Sequence, residues 1–131
     1  MKKVKEEKLE YSSPACTVRL TSLDDALYVI GGKWKLKIII ALQDGPKRFN
    51  ELQRTVSGIS ARVLSNELKD LEMNDFVKRI VQADIPVTVT YEITKYSHTL
   101  RNVLDALSEW GIKHRAKIRK DRSVSSKPVK K

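Results

Sequence analysis

The sequence predicts a mainly α-helical fold carrying one small β-hairpin (α+β), and three stretches support that prediction. Residues 60–73 set Leu64, Leu68 and Leu71 on one narrow apolar stripe at 3.6 residues per turn. Residues 48–56 repeat Phe49, Leu52 and Val56 at the same spacing just ahead of it. Residues 76–81 and 87–93 are rich in β-branched side chains and flank a five-residue loop, Gln82–Pro86, the pattern of a hairpin. Two helices with a three-residue turn and a hairpin behind them make a winged helix-turn-helix, with further helices expected at both ends.

Taken in order, residues 1–20 read as a flexible N-terminal arm, broken by Ser12-Ser13-Pro14. Ser22 is expected to cap a first helix, with Asp24 and Asp25 near its positive end. Leu23, Ala26, Leu27 and Ile30 form its apolar face, and Gly31-Gly32 stops it. Trp34 to Leu42 make a second, very apolar helix and the centre of the core. Asp44-Gly45-Pro46 turns the chain, and Lys47-Arg48-Phe49 begins as a short strand. In the helix-turn-helix, Gly58 supplies positive φ, Ile59 packs inward and Ser60 caps the second helix. Thr94 opens the last helical region, where Leu100, Val103, Leu104, Leu107, Trp110 and Gly111 recur to about residue 112. That stripe suits a second copy of the chain; packing within the monomer is the competing expectation. The domain is thus expected over 21–112, with a C-terminal dimerisation helix. Residues 113–131 form a basic extension, disordered over its Ser/Lys/Pro-rich end from residue 123.

The chain has 131 residues, enough for one domain with its own core. It holds no apolar run near the ~20 residues of a membrane span. The N-terminus lacks the apolar segment of a signal peptide, and the single cysteine suits a reducing compartment. A cytoplasmic protein is therefore expected. The net charge of +10 is unevenly spread. Residues 21–112 hold twelve Lys/Arg and twelve Asp/Glu, whereas residues 113–131 hold nine Lys/Arg against Asp121 alone. Such a tail adds salt-dependent affinity for nucleic acid, or simply solubility. Any specific recognition has to come from where charges sit on the helix of residues 60–73.

Opposite the leucines on that helix stand Arg62, Asn66 and Lys69, with Ser65 close by and Glu67, Asp70 and Glu72 on the flanks. Arg pairs with guanine O6/N7 and Asn with adenine N6/N7, so this face suits the major groove of double-stranded DNA. An ordinary solvated helix is the alternative for these residues taken alone. Ser60 and the free N–H groups at the helix start suit a phosphate. Lys47, Arg48, Lys78 and Arg79 are weaker candidates for backbone contacts, which position a protein without reading sequence. Cys16 has two readings, a redox sensor, which has to be an exposed thiolate, or a non-regulatory thiol; Arg19 lies three residues on. His98 and His114, the only histidines, form no metal-ligand spacing with cysteine or carboxylate. With no Gly-rich phosphate loop and no nucleophile elbow, neither an enzyme nor a cofactor or metal is expected. A winged helix used for protein contact remains an alternative, although residues 62–69 lack the large anchors that protein hot spots favour.

With these pieces placed, the chain resembles the HxlR-type winged-helix transcriptional regulators of bacteria. The resemblance rests on residues 27–34 (Leu-Tyr-Val-Ile-Gly-Gly-Lys-Trp), 42–52, 58–65, Leu68, Leu71-Glu72, 91–94 and 104–111. Order and spacing match almost without gaps from 21 to 112. It implies a homodimer joined by terminal helices, with two recognition helices reading a palindromic site, as repressor or activator. Several family members respond to aldehydes, quinones or oxidants, which makes a redox- or aldehyde-responsive switch through Cys16 the alternative; no small-molecule effector is identified. Three departures stand out. Thr21-Ser22 occupy the place of a frequent Cys-Pro pair, five residues after Cys16. Ile85-Pro86-Val87-Thr88 replaces an arginine-bearing wing tip, and Ala61 replaces a frequent proline.

Overall fold

A computed structural model describes residues 13–129 of the chain. In order they form α1 (Pro14–Ile30), α2 (Lys35–Gln43), α3 (Phe49–Thr55), α4 (Ala61–Met73), β1 (Val77–Gln82), β2 (Thr88–Ile93), a 3-10 turn (Tyr96–Leu100) and α5 (Arg101–Val129). The apolar stripes predicted for α2, α3 and α4 converge. Ile38, Ile39, Leu42, Leu52, Leu64, Leu68 and Leu71 are each less than 2 % exposed. Val56, Ile59, Phe76, Val77, Leu100 and Leu104 close the core around them.

Local chemistry explains the joints between these elements. A Cβ on Gly31 would run into the Leu27 carbonyl, which instead accepts the Gly31 N–H at 2.8 Å and ends α1. Gly58 has φ +90°, the left-handed conformation the turn between α3 and α4 requires. The Gln53 side-chain amide donates to the Ile59 carbonyl at 3.4 Å across that turn. Ser60 Oγ accepts the Val63 N–H at 3.2 Å, capping α4 as expected. Strands β1 and β2 pair antiparallel, with Val77 opposite Ile93 and Gln82 opposite Thr88. The strand predicted at 47–49 reduces to a single bridge: Lys47 exchanges two backbone hydrogen bonds with Tyr91, at 3.0 and 2.8 Å. Phe49 already belongs to α3.

Both chain ends correct the sequence-based expectation. The first helix starts at Pro14, so residues 14–20 are helical rather than part of an arm, and Ser22 lies mid-helix. Ser13 is the N-cap, accepting the Cys16 N–H at 3.2 Å, and Pro14 sits in the first turn. Ser-Pro is a start signal as well as a breaker, because proline at N1 loses no helical bond. Residues 1–12 lie outside the described part of the chain. Of the apolar face expected on this helix only Ile30 is buried, and Leu23 and Leu27 are exposed. At the other end α5 runs unbroken to Val129, through residue 112 and into the segment expected to be disordered. Once the turns holding Leu100 and Leu104 are anchored, Lys, Arg and Ala propagate a helix well, and Lys117 reaches Asp121 at 2.8 Å one turn on. Residues 130 and 131 lie outside the described part.

Candidate nucleic-acid interface

Helix α4 owes its orientation to the three buried leucines, which fix one face inward and so decide what the other presents. Arg62, Asn66 and Lys69, at i, i+4 and i+7, are all exposed along that outer face. Ser65 is half-buried at its edge. Ser60 is exposed at the N-terminus, and its hydroxyl proton is free to be donated while the oxygen caps Val63. The face continues one turn past Lys69 to Met73, which is 83 % exposed. Sequence reasoning passed over Met73, although its spacing of four from Lys69 was there to be read.

The four backbone-contact candidates divide. Sheet register places Arg79 opposite Tyr91, and Lys47 bridges to Tyr91 from the other side. Directly paired residues share a sheet face, so Lys47 and Arg79 flank Tyr91 in one row. Lys78 points to the other face, opposite Glu92, and its ammonium lies 3.3 Å from that carboxylate. Lys78 and Arg79 therefore do not act as a pair. Arg48 is exposed at the start of α3, where its N–H donates to Glu51 at 2.8 Å. At the wing tip Ile85 is 99 % exposed beside Asp84, with no cation in residues 82–88.

One participant escaped the sequence altogether. Lys35, at the start of α2, reaches across to α4 and places its ammonium 2.6 Å from Glu67 and 3.5 Å from Asp70. Burial alone would lower its pKa; the hydrogen bond and charge of Glu67, joined by Asp70, outweigh that and hold it above the ordinary lysine value. On either side of it, Lys33 and Lys37 lie 4.9 and 5.0 Å from the centre of the Trp34 ring.

The remaining candidates are dispersed. Cys16 is half-buried in the first turn of α1, on the helix that also carries Thr21 and Ser22. His98 faces Arg101, 3.4 Å away, and His114 stacks on Trp110 at 4.8 Å. Among the described residues no group of His, Cys, Asp and Glu could hold a metal ion, and no helix is long and apolar enough to cross a membrane.

The HxlR-like helix-turn-helix family pattern matches residues 29–119. The chain belongs to that family. Its HxlR-like relatives include the HTH-type transcriptional regulator YtcD of Bacillus subtilis (strain 168), 40 % identical over 93 residues covering 71 % of this chain and 74 % of YtcD. YodB of the same organism is 38 % identical over 88 residues, 67 % of this chain and 79 % of YodB. Among solved structures, the redox regulator HypR in its reduced form superposes with a TM-score of 0.70 at 35 % identity, covering 76 % of this chain and 98 % of HypR. As an HxlR-like protein of this fold, the chain is a DNA-binding transcriptional regulator.

Proposed function

We propose that this HxlR-like protein represses transcription as a homodimer bound to a palindromic operator, each copy laying α4 in the major groove. Arg62, Ser65, Asn66 and Lys69 meet base edges, Ser60 and the start of α4 meet a phosphate, and Lys47, Arg48 and Arg79 meet the backbone. Lys78 takes part only by leaving Glu92. The observation that carries this reading is the split of α4 into a buried leucine side and an outer side on which Arg62, Asn66 and Lys69 stand uncovered. Dimerisation is supported by apolar side chains that lie exposed on both terminal helices: Leu20, Leu23 and Leu27 on α1, and Leu107, Trp110 and Ile118 on α5. A lone solvated helix has little reason to expose so many.

The test is selection of duplexes from a random pool by the full chain, followed by footprinting and sedimentation. Expected are a two-fold symmetric site with half-sites about 10–10.5 base pairs apart and a mass twice the 15.0 kDa of one chain. A selected site without symmetry, or a single-chain mass in the complex, rejects the dimeric reading.

Similarity to HypR and YodB, the former described as a redox regulator, favours a second reading in which oxidation at Cys16 relieves DNA binding. Having no second cysteine in its own chain, Cys16 would pair with its counterpart in the second copy or with a small thiol. Diamide treatment followed by non-reducing electrophoresis tests this. No crosslink, together with an unaltered oxidant response in Cys16→Ser, rejects it.

A further inference from the structure

Helix α4 is an odd element to present to a polyanion. Its own charges are Arg62 and Lys69 against Glu67, Asp70 and Glu72, two cations facing three carboxylates. Asp70 stands one turn beyond Asn66, at the edge of the outer face, and Glu67 lies further round on the same flank. Left bare, Asp70 would set a negative charge beside the outer face, with that of Glu67 one step further round, where each opposes the approach of a phosphate. Lys35 alters that. It comes from α2, 32 residues earlier in the chain, and contacts both carboxylates, with its side chain only 15 % exposed and that of Glu67 21 %. So placed, Lys35 cancels charge on the flank while leaving the outer face to Arg62, Asn66 and Lys69.

We infer that Lys35 is a positioning residue for DNA reading: by holding Glu67 and Asp70 from behind α4, it offsets one of the two negative charges that would otherwise repel the phosphates beside the reading face. The inference rests on α4 reading DNA as proposed above. Two rival roles predict different variant behaviour. If Lys35 merely braces the fold, removing the two carboxylates as well as Lys35 gives nothing back. If Lys35 touched phosphate itself, Lys35→Met would cost as much in the Glu67→Gln/Asp70→Asn background as in the wild-type chain.

The experiment measures duplex affinity by fluorescence anisotropy at about 0.1 M salt, where the Debye length is about 10 Å. The probes are a duplex selected from the random pool by the wild-type full chain and an unrelated duplex of equal length. Lys35→Met is expected to bind both about five- to tenfold more weakly, from one further unit of uncompensated negative charge near phosphates in a largely aqueous setting. The triple variant Lys35→Met/Glu67→Gln/Asp70→Asn is expected to bind at least as tightly as wild type, since the charges that cause the repulsion are gone. Glu67→Gln/Asp70→Asn with Lys35 intact is expected to bind as tightly as wild type or tighter, and this variant decides the matter should Lys35→Met fail to fold. Unchanged affinity in folded Lys35→Met, a triple variant no better than Lys35→Met, or a weakened Glu67→Gln/Asp70→Asn overturns the inference. A wild-type chain with no salt-dependent affinity for either duplex overturns the DNA reading itself, and this inference with it.

Discussion

Two residues apart on α4, Asn66 and Leu68 should fail in opposite ways when each is cut to alanine. Leu68 is 1 % exposed in the middle of the core. Truncating a leucine so placed costs about 2–5 kcal/mol, from the lost transfer free energy and the cavity left behind. In a domain of this size, about 3 kcal/mol lowers Tm by roughly 9–15 °C, a large part of the ~5–15 kcal/mol that keeps most domains folded. Asn66 touches solvent, and surface changes usually stay within about 0.5 kcal/mol. Alanine is also the better helix former by up to about 0.7 kcal/mol, so Asn66→Ala should hold or slightly raise Tm. Yet Asn66→Ala should lose about 1–3 kcal/mol of base discrimination, or roughly 5- to 150-fold on the selected site, with little change on an unrelated duplex. Circular dichroism melts and competition mobility shifts on the same preparations give both numbers. A fall in Tm for Asn66→Ala comparable to that of Leu68→Ala, or selective binding untouched by Asn66→Ala, would refute the division of α4 into a seated side and a reading side.

Further outcomes follow from other features. Gly58→Ala forces a Cβ onto a residue with φ +90° and should destabilise by about 1–2 kcal/mol in urea titration. Because the folded state raises the Lys35 pKa, its stabilising contribution is whole below the ordinary value of 10.5 and fades as pH climbs through the raised one. The Tm gap between wild type and Lys35→Met should therefore be constant near neutrality and narrow only above about pH 10.5; a gap that closes near pH 7 contradicts the ion-pair account. Leu107→Asp puts a charge in the exposed stripe of α5 and should yield monomers in sedimentation, with Tm falling only by what the contact between copies contributed and becoming independent of protein concentration.

The helix-turn-helix was legible because its signals are local. Leucine spacing, a Gly with φ +90° at residue 58 and the Ser60 cap each act within a few residues of themselves. Wing strands were placed within one residue for the same reason. Ser13-Pro14 was misjudged because the same dipeptide can end one element or begin another, and nothing in the dipeptide itself says which. The helix beyond residue 112 went unread because apolar periodicity was the signal sought, and a run of Lys and Arg has almost none while still propagating a helix. Lys35 was invisible on different grounds. Its partners lie 32 and 35 residues away, and no local pattern announces an ion pair between two elements that meet only in the folded chain.

The last core anchor of α5 is Leu104, and every residue after it as far as Arg122 is open to water. Away from Leu107, Trp110 and Ile118, lineages can thus add or delete cations along that rod at almost no cost to folding. On the proposed reading the choice of operator is set by α4, so it would evolve independently of the charge carried by this rod.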